Sequence, residues 1–469
     1  MKNFIKTSLA VLVVLLVKTS DVRAQHNLTL YGMKSLPQRT YANPAFRPDS
    51  RIFIGVPALS SHYFDIGNSS LRLRNISNAI ERVGPDSTIL HVNKLSDVFR
   101  ENNSFNLQYD LDLLHFGFKL GNNYLSFNST LVNTFKISIP GDFFQFFLEG
   151  NGGQNLGRKF DFGISMDVLQ YGEFGLGYSR NLLNDRLVVG ARAKYLKGIN
   201  NFTTAKSDIS FTTDPDDYSY LITADMEINA ASSLGEVSRN GPEIPTSFSV
   251  SDILKSGNSG WGLDLGATYD LTKRIELSAA VKNLGQITWN TNTYNLRSRN
   301  PGATFRFEGI DFADVLDSNG GQEGEAMEAL VDSLIDKFAL DSFTNSYKTG
   351  LFPEFYLGGT FSVTKNHRAG ILFYGSWFQK SLHPAFTLSW YSQFSRVLGI
   401  SATYTIMDNS FNNAGLGISL NGGPIQFYAV ADNIIGLIAA DEVKNLGVRA
   451  GINVTLLRTP KEKKDFEKK

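Results

Sequence analysis

Residues Phe105 to Leu113 read FNLQYDLDL, with an apolar side chain at every odd-numbered position and a polar one at every even-numbered position. A β-strand throws successive side chains to opposite faces, so this segment has one apolar face and one polar face. The same period of two returns in Phe160 to Val168, Tyr218 to Ala230, Trp261 to Asp270, Leu398 to Ile406 and Val448 to Leu456. Beyond the N-terminal apolar run, no stretch approaches the roughly 18 to 20 apolar residues of a spanning helix. A chain patterned in this way is all-β, and two architectures fit it. In a soluble sandwich the apolar faces form the core; in a membrane barrel they meet lipid and the polar faces line the lumen.

Three features favour the barrel. The segments run to about 9 to 13 residues, the length a tilted strand needs to cross a bilayer, whereas ordinary strands average about five or six. Phe105, Trp261, Tyr269, Trp377, Trp390 and Tyr404 sit near segment ends, where interfacial aromatic girdles lie. The polar faces carry isolated charges of both signs: Asp110, Asp112, Asp161, Arg192, Lys194, Asp225 and Asp264 are expected to face the lumen, with Asp167, Glu227 and Lys282 on the same kind of face. Asp264, as a lumen residue, is expected to tolerate replacement far better than its outward neighbours Leu263 and Leu265.

Tight turns at Asn184-Asp185, Thr272-Lys273, Lys365-Asn366 and Gly422-Gly423 place one end of the strands in the periplasm. The longer stretches 231–258 and 310–350 fall on the opposite side, the second with a short amphipathic helix at Met327 to Ile335. About 18 alternation blocks occur between 105 and 457, of which the hairpins near 200–229 and 286–309 can rise out of the membrane. The expectation is a transmembrane antiparallel β-barrel of about 14 strands (range 14 to 18), closed because lipid cannot satisfy an open edge. Gly141 to Gly150 breaks the alternation and reads as a short helix with an aromatic stripe, at the interface or the barrel mouth.

Lys2 and Lys6 precede the apolar run Leu9 to Val17, and Val22-Arg23-Ala24 supplies small residues for a signal peptidase, so cleavage before Gln25 is expected. The absence of cysteine (Cys 0) removes thiol catalysis, cysteine metal sites and a lipid-anchored N-terminus. Lys+Arg and Asp+Glu are both 45, so no basic field draws nucleic acid. None of the 6 histidines falls in a nucleophile or metalloprotease motif; His115 is placed at a strand end. Asp214-Pro215-Asp216-Asp217 lacks the ligand spacing of a calcium loop and reads as a solvated turn. No enzyme, cofactor or metal is expected.

Between the cleavage site and the first long strand lies Tyr41-Ala42-Asn43-Pro44-Ala45-Phe46. Pro44 fixes its own φ and biases Asn43 toward extended backbone, while an Asn side chain readily bonds nearby backbone. The result is a rigid, aromatic-edged turn placed where lumen plugs originate. Tyr41, Asn43, Pro44, Ala45 and Phe46 are expected to form a hatch turn packed on the barrel wall; a surface turn leading into the first strand is the other reading.

With the following Arg51 to Pro57, this turn resembles the Asn-Pro-Ala turn of barrels of the long-chain fatty-acid-transporter type. The longer stretch, with Leu30-Tyr31, Pro37-Gln38, Tyr41 to Ala45, Pro48-Asp49-Ser50 and Gly55 to Ser61, is similar to a Bacteroidota-type family of uncharacterised outer-membrane barrels related to secretion-associated barrels. Val281-Lys282-Asn283-Leu284-Gly285 and Ala431-Asp432-Asn433-Ile434-Ile435-Gly436 are similar to strand-end motifs of the same barrels and echo one another. The resemblance implies an outer-membrane protein in contact with lipid. It implies a passive transporter or channel for a small hydrophobic molecule, or else a non-enzymatic structural or partner-binding barrel that meets a periplasmic or secretion-system protein. The expected boundaries are a signal at 1–24, a hatch segment and first strand at 25–104, the barrel at 105–457 and a charged periplasmic tail at 458–469. Unlike many such barrels, the last strand is followed by Arg458-Thr459-Pro460 rather than closed by a terminal aromatic residue.

Overall fold

The computed structural model describes residues 27–84, 87–238, 241–242, 250–307, 340–378, 381–407, 411–439 and 441–458. The signal segment, the helix expected at Met327 to Ile335 and the charged tail lie outside the described residues. Fourteen antiparallel strands form the wall. They are β1, in two pieces (Ser50–Gly55 and His62–Asn68), β2 (Asn102–Leu120), β3 (Asn123–Pro140), β4 (Ser165–Leu182), β5 (Leu187–Thr213), β6 (Ser259–Asp270) and β7 (Ile275–Trp289). The second half comprises β8 (Glu354–Ser362), β9 (His367–Phe378), β10 (Ser381–Gln393), β11 (Leu398–Met407), β12 (Ala414–Gly422), β13 (Ile425–Ala431) and β14 (Asn445–Arg458). Each strand pairs with its neighbours, and β14 returns to β1 with Ser50 opposite Arg458 and His62 opposite Ala450, so the sheet closes.

The alternation explains the two faces. Leu176, Leu265, Leu357, Ile371 and Leu388 point outward and stay exposed, while Asp112, Arg192, Asp264 and Ser401 on the inner face of the wall are buried. Trp261, Trp377, Trp390 and Tyr404 are exposed on the outer surface. Among the described residues no helix is long and apolar enough to cross a membrane, so strands alone build the wall. The tight turns expected at 184–185, 272–273, 365–366 and 422–423 all fall at one end, which we call the short-turn end. Longer connections occupy the other end, including the helix Gly141–Glu149, whose Phe143, Phe146 and Phe147 pack with Phe160, Phe162 and Phe211.

Some strands are longer than the alternation blocks, up to 27 residues in β5. In β2 and β5 a β-bulge is one reason, because one unpaired residue reverses the in–out parity and splits one strand into two apparent blocks. Pairing of β4 with β5 skips Ile199, and pairing of β2 with β3 skips Leu113. The largest irregularity is in β1, which inserts Val56 to Ser61 while β14 advances only from Asn453 to Ala450, with Ala58 at φ 57°.

β5 also continues beyond the wall. Its far end pairs with Tyr220–Ser232, which pairs in turn with Thr293–Ser298 and Ala303–Phe307; Leu340–Phe343 joins Thr293–Ser298. This sheet contains the two hairpins expected to leave the membrane, and it corrects two of the lumen assignments. Asp161 lies on the short strand Lys159–Asp161 against the far end of β5 and is exposed. Asp225 lies on Tyr220–Ser232 and forms an ion pair with Lys206. Alternation reports that a strand has two different faces, and it does not say whether that strand is in the wall or above it.

Candidate functional site

The lumen is occupied by the chain's own N-terminal segment. Residues Leu28–Gly32 form one helical turn and Pro37–Tyr41 a 3₁₀ turn that starts on Pro37, whose fixed φ suits a first helical position. Leu28, Leu30, Met33, Leu36, Ala42, Asn43, Ala45 and Phe46 are all buried, though no sheet pairing holds this segment. Side chains hold it instead, at points distributed around the wall.

On one side the segment meets an apolar strip of the lumen. Leu28, Tyr31, Ala42 and Phe46 pack on Ala280, Tyr356, Leu372, Tyr374, Ala385 and Met407, which run from β7 to β11. The Tyr31 ring stacks on Tyr356 at 5.7 Å and takes the edge of Phe46 at 4.9 Å, while its hydroxyl donates to Ser278 Oγ at 2.8 Å. The guanidinium of Arg39 lies 3.8 Å over the Phe46 ring and donates through Nε to the Tyr31 carbonyl. At the end near the helical turn, the Thr29 N–H donates to Asp432 Oδ1 at 2.7 Å. Gln38 and Asn453 exchange two amide bonds, 2.8 and 3.0 Å, beside the break in β1, where Gln38 and Tyr428 both donate to the Ser60 carbonyl.

The Asn-Pro-Ala turn sits against β6, β7 and the opposing part of β5. Asn43 Nδ2 donates to the Ala279 carbonyl at 3.1 Å and to that of Ala267 at 3.4 Å, and Asn43 Oδ1 accepts the Ala45 N–H at 2.9 Å. Two glycines make room for it. Gly190 and Gly266 are direct partners across β5 and β6; a Cβ on the first would fall 2.4 Å from the Pro44 carbonyl oxygen, and on the second 2.0 Å from Asn43 Oδ1. Tyr41 completes the docking: its hydroxyl donates to Asp112 Oδ2 at 2.7 Å and lies 3.1 Å from His115 Nδ1. With that proton committed to Asp112, the histidine bonds the tyrosine oxygen only as its Nδ1–H tautomer.

Asp112 opens a belt of polar groups around half of the lumen. Its Oδ1 accepts from Thr130, Asn128 donates to Thr130 and to Glu173, and Lys194 pairs with Glu173 at 3.3 Å and Asp264 at 2.9 Å. Arg192 stands 3.8 Å from Asp264, and Lys282 pairs with Glu354 at 3.0 Å. Asp110, half-buried on β2, accepts from Gln108 at 3.0 Å. The structure thus places Asp110, Asp112, Arg192, Lys194 and Asp264 on the inner face, and it brings Asp112 onto Tyr41 beside the Asn-Pro-Ala turn. Among the described residues no group of three or more His, Asp or Glu is arranged to hold a metal.

Several partners escape local sequence reading. His115 is not at a strand end but in mid-β2, turned inward three residues after Asp112 because Leu113 is bulged. Asn283, at φ 59°, forms a similar bulge in β7; its N–H donates to Asp264 Oδ1 and its Oδ1 accepts Lys194. The repeated Lys-Asn and Asp-Asn motifs were the available signal for Asn283 and Asp432, while nothing local marks Gly190 or Gly266.

A closed fourteen-strand barrel with outward apolar faces and its N-terminal segment folded inside is an outer-membrane-type β-barrel. Residues 44–432 match a family of unknown function (DUF5723), and the chain belongs to that family. No curated protein matches the sequence. Among solved structures, a Pseudomonas aeruginosa FadL homologue is similar at 10% identity, covering 93% of this chain and 98% of that one with a TM-score of 0.41. The Ralstonia pickettii toluene transporter TbuX is 10% identical, with 89% and 93% covered and a TM-score of 0.39. The translocator domain of the autotransporter NalP from Neisseria meningitidis is 8% identical, with 86% and 88% covered and a TM-score of 0.31. At these scores the likenesses carry no argument about what the chain does.

Proposed function

We propose that the protein is a passive conduit of the outer membrane, closed at rest by its own N-terminal segment, for a small solute with an apolar body. The short-turn end faces the periplasm and the long-connection end the exterior. The observation that carries this reading is the fit of Leu28, Tyr31 and Phe46 to the strip of Ala280, Tyr356, Leu372, Tyr374, Ala385 and Met407. This strip lies under a segment that side-chain bonds and packing hold in place, with no sheet pairing. When the segment leaves, the same strip is offered to a solute, and burial of apolar area supplies the attraction. The wall itself stays hydrogen-bonded all round, so the segment can move without unfolding the barrel.

The test is solute flux into liposomes containing the protein with Asn43→Ala and Pro44→Gly together, against the unaltered chain. Faster entry of small solutes through a barrel that remains heat-resistant on gels is expected. Unchanged flux through an intact barrel with a displaced segment overturns the conduit. It would favour a partner-binding barrel, for which the sheet built on β5 beyond the wall offers a surface.

A further inference from the structure

Ionic groups of the lumen fall into two populations. Around the belt, acids and bases are matched: Lys194 with Glu173 and Asp264, Lys282 with Glu354. Nearer the long-connection end they are not. Asp65 and Asp432 are both buried and, among the described residues, neither has a basic group within ion-pair distance. Asp65 Oδ2 accepts from Asn106 at 2.8 Å, but its Oδ1 has no hydrogen-bond partner among the described residues. Asp432 is satisfied by the Thr29 N–H of the N-terminal segment. A buried carboxylate without a counter-cation is unfavourable unless a cation arrives.

Two buried cations stand in this part of the lumen: Arg449 on β14 lies 4.4 Å over the Tyr63 ring and donates to Ser61 Oγ, and the other is held in an unusual way. Lys136 on β3 is 5% exposed and makes no ion pair among the described residues. Its ammonium instead lies 3.9 Å from the ring centroid of Phe352 and 4.5 Å from that of Phe378, two rings that meet edge to face at 5.5 Å. These rings belong to the far side of the barrel, on the elbow before β8 and at the end of β9, and Asn283 Nδ2 donates to the Phe352 carbonyl to hold that elbow. The Lys136 charge acts at longer range on Asp65, Asp167 and Glu354. Tyr63 and Tyr374 stand in the field of both Asp65 and Asp432, so these residues share one space.

We propose that this upper lumen is a recognition site for a small organic cation with an aromatic or alkyl body, held by the faces of Phe352 and Phe378 and by the carboxylates of Asp65 and Asp432, with Lys136 as its tethered occupant at rest. Ring faces attract weakly hydrated ammonium groups, which distinguishes such a ligand from a metal ion that keeps its water. The site adjoins the N-terminal segment on the long-connection side, where the Thr29 N–H holds Asp432 Oδ1. This deepens the conduit reading by naming the charged end of its solute, and it rests on that reading.

The experiment is calorimetric titration of the full mature chain in nanodiscs with benzyltrimethylammonium, benzyl alcohol and phenylacetate, with empty nanodiscs as control. The cation is expected to bind about tenfold more tightly than either alternative. Asp65→Asn should weaken it by about tenfold, whereas Lys136→Met should strengthen it severalfold by removing the resident competitor. Equal binding of the three probes, or weaker cation binding by the folded Lys136→Met protein, overturns the proposal. Liposome flux separates the two readings. Cation binding with the Lys136→Met gain in a barrel that passes nothing removes the conduit and keeps the site; flux without cation preference removes the site and keeps the conduit.

Discussion

Gly190→Ala tests whether the Asn-Pro-Ala turn is a knob seated in a hole of the wall. A Cβ at this position would lie 2.4 Å from the Pro44 carbonyl oxygen, 2.5 Å from its carbon and 2.6 Å from the Ala45 nitrogen. All three are backbone atoms, so no side-chain rotation relieves the contact and the turn must lift. Lifting breaks the two bonds from Asn43 Nδ2, worth about 0.5–1.5 kcal/mol each, and if Tyr41 follows, its bond to the Asp112 carboxylate adds about 1.5–3 kcal/mol. The natural chain has no cysteine, so a single Ala45→Cys substitution reports the turn by its rate of maleimide labelling. Ala45 is 2% exposed in place, and labelling then follows local opening. Loss of the Asn43 bonds alone predicts a rise of about tenfold, and loss of Tyr41 as well a rise on the order of 100-fold or more. Gly422→Ala, whose Cβ would have nothing within 4 Å, is the matched control. Gly266→Ala should act more weakly than Gly190→Ala, since its nearest obstacle is a side-chain oxygen. Labelling of Gly190→Ala at the control rate, in a barrel that is still heat-resistant, would refute the seat.

Leu265→Arg puts a charge on the lipid face and should cost about 2–4 kcal/mol at mid-bilayer, read as a lower urea midpoint or failed assembly. Asp264→Asn should be comparably damaging, because it leaves Lys194 and Arg192 short of a buried partner and breaking such a pair costs about 3–5 kcal/mol; a wild-type urea midpoint would show that the belt is not coupled to stability. Outside the membrane, the Asp217 carboxyl is held below its ordinary value by the Ser219 hydroxyl and N–H, with Arg306 behind them. A depressed value means that the turn is intact at neutral pH and loosens as pH falls through the folded-state value. The hydrogen-exchange protection factor of the Ser219 amide should therefore drop on strong acidification, and Asp217→Asn should abolish that pH dependence.

The barrel was legible in the sequence because lipid and lumen impose opposite polarity on successive residues, and this leaves a purely local trace. The Asn-Pro-Ala turn was legible as a turn for a similar reason: Pro44 and its aromatic neighbours advertise rigidity, and Tyr41, Asn43 and Phe46 pack on the wall. Consequences of register were not legible. Asp264 reads as a tolerant lumen residue, yet it is fully buried between Lys194 and Arg192, partners one strand away in space and some seventy residues away in sequence. Gly190 and Gly266 read as two more glycines among 42, and only their pairing across β5 and β6 makes them a seat.

Two anchors of the N-terminal segment, Tyr41 and Gln38, coincide with irregularities of the wall, and this bears on how the segment is recognised. The bulge at Leu113 turns both Asp112 and His115 inward, giving Tyr41 two partners where a regular strand would offer one. The break in β1 presents the Ser60 carbonyl to Gln38 and Tyr428, and the bulge at Asn283 draws Asp264 and Lys194 into the belt that Asp112 begins. A regular barrel offers its lumen mainly side chains at fixed two-residue spacing, because its backbone N–H groups are spent on the ladder and only the second lone pair of a carbonyl, as at Ala267 and Ala279, is left to accept. Bulges free backbone groups and break that spacing, so they are the places where a wall can bind a segment specifically without losing closure. Deleting Leu113 would therefore straighten β2 while leaving Leu114 opposite Ser129 and His115 opposite Asn128, so Asp112 and His115 both still face the lumen; the barrel should close, and a weakened Tyr41 anchor would isolate what the local geometry of the bulge contributes.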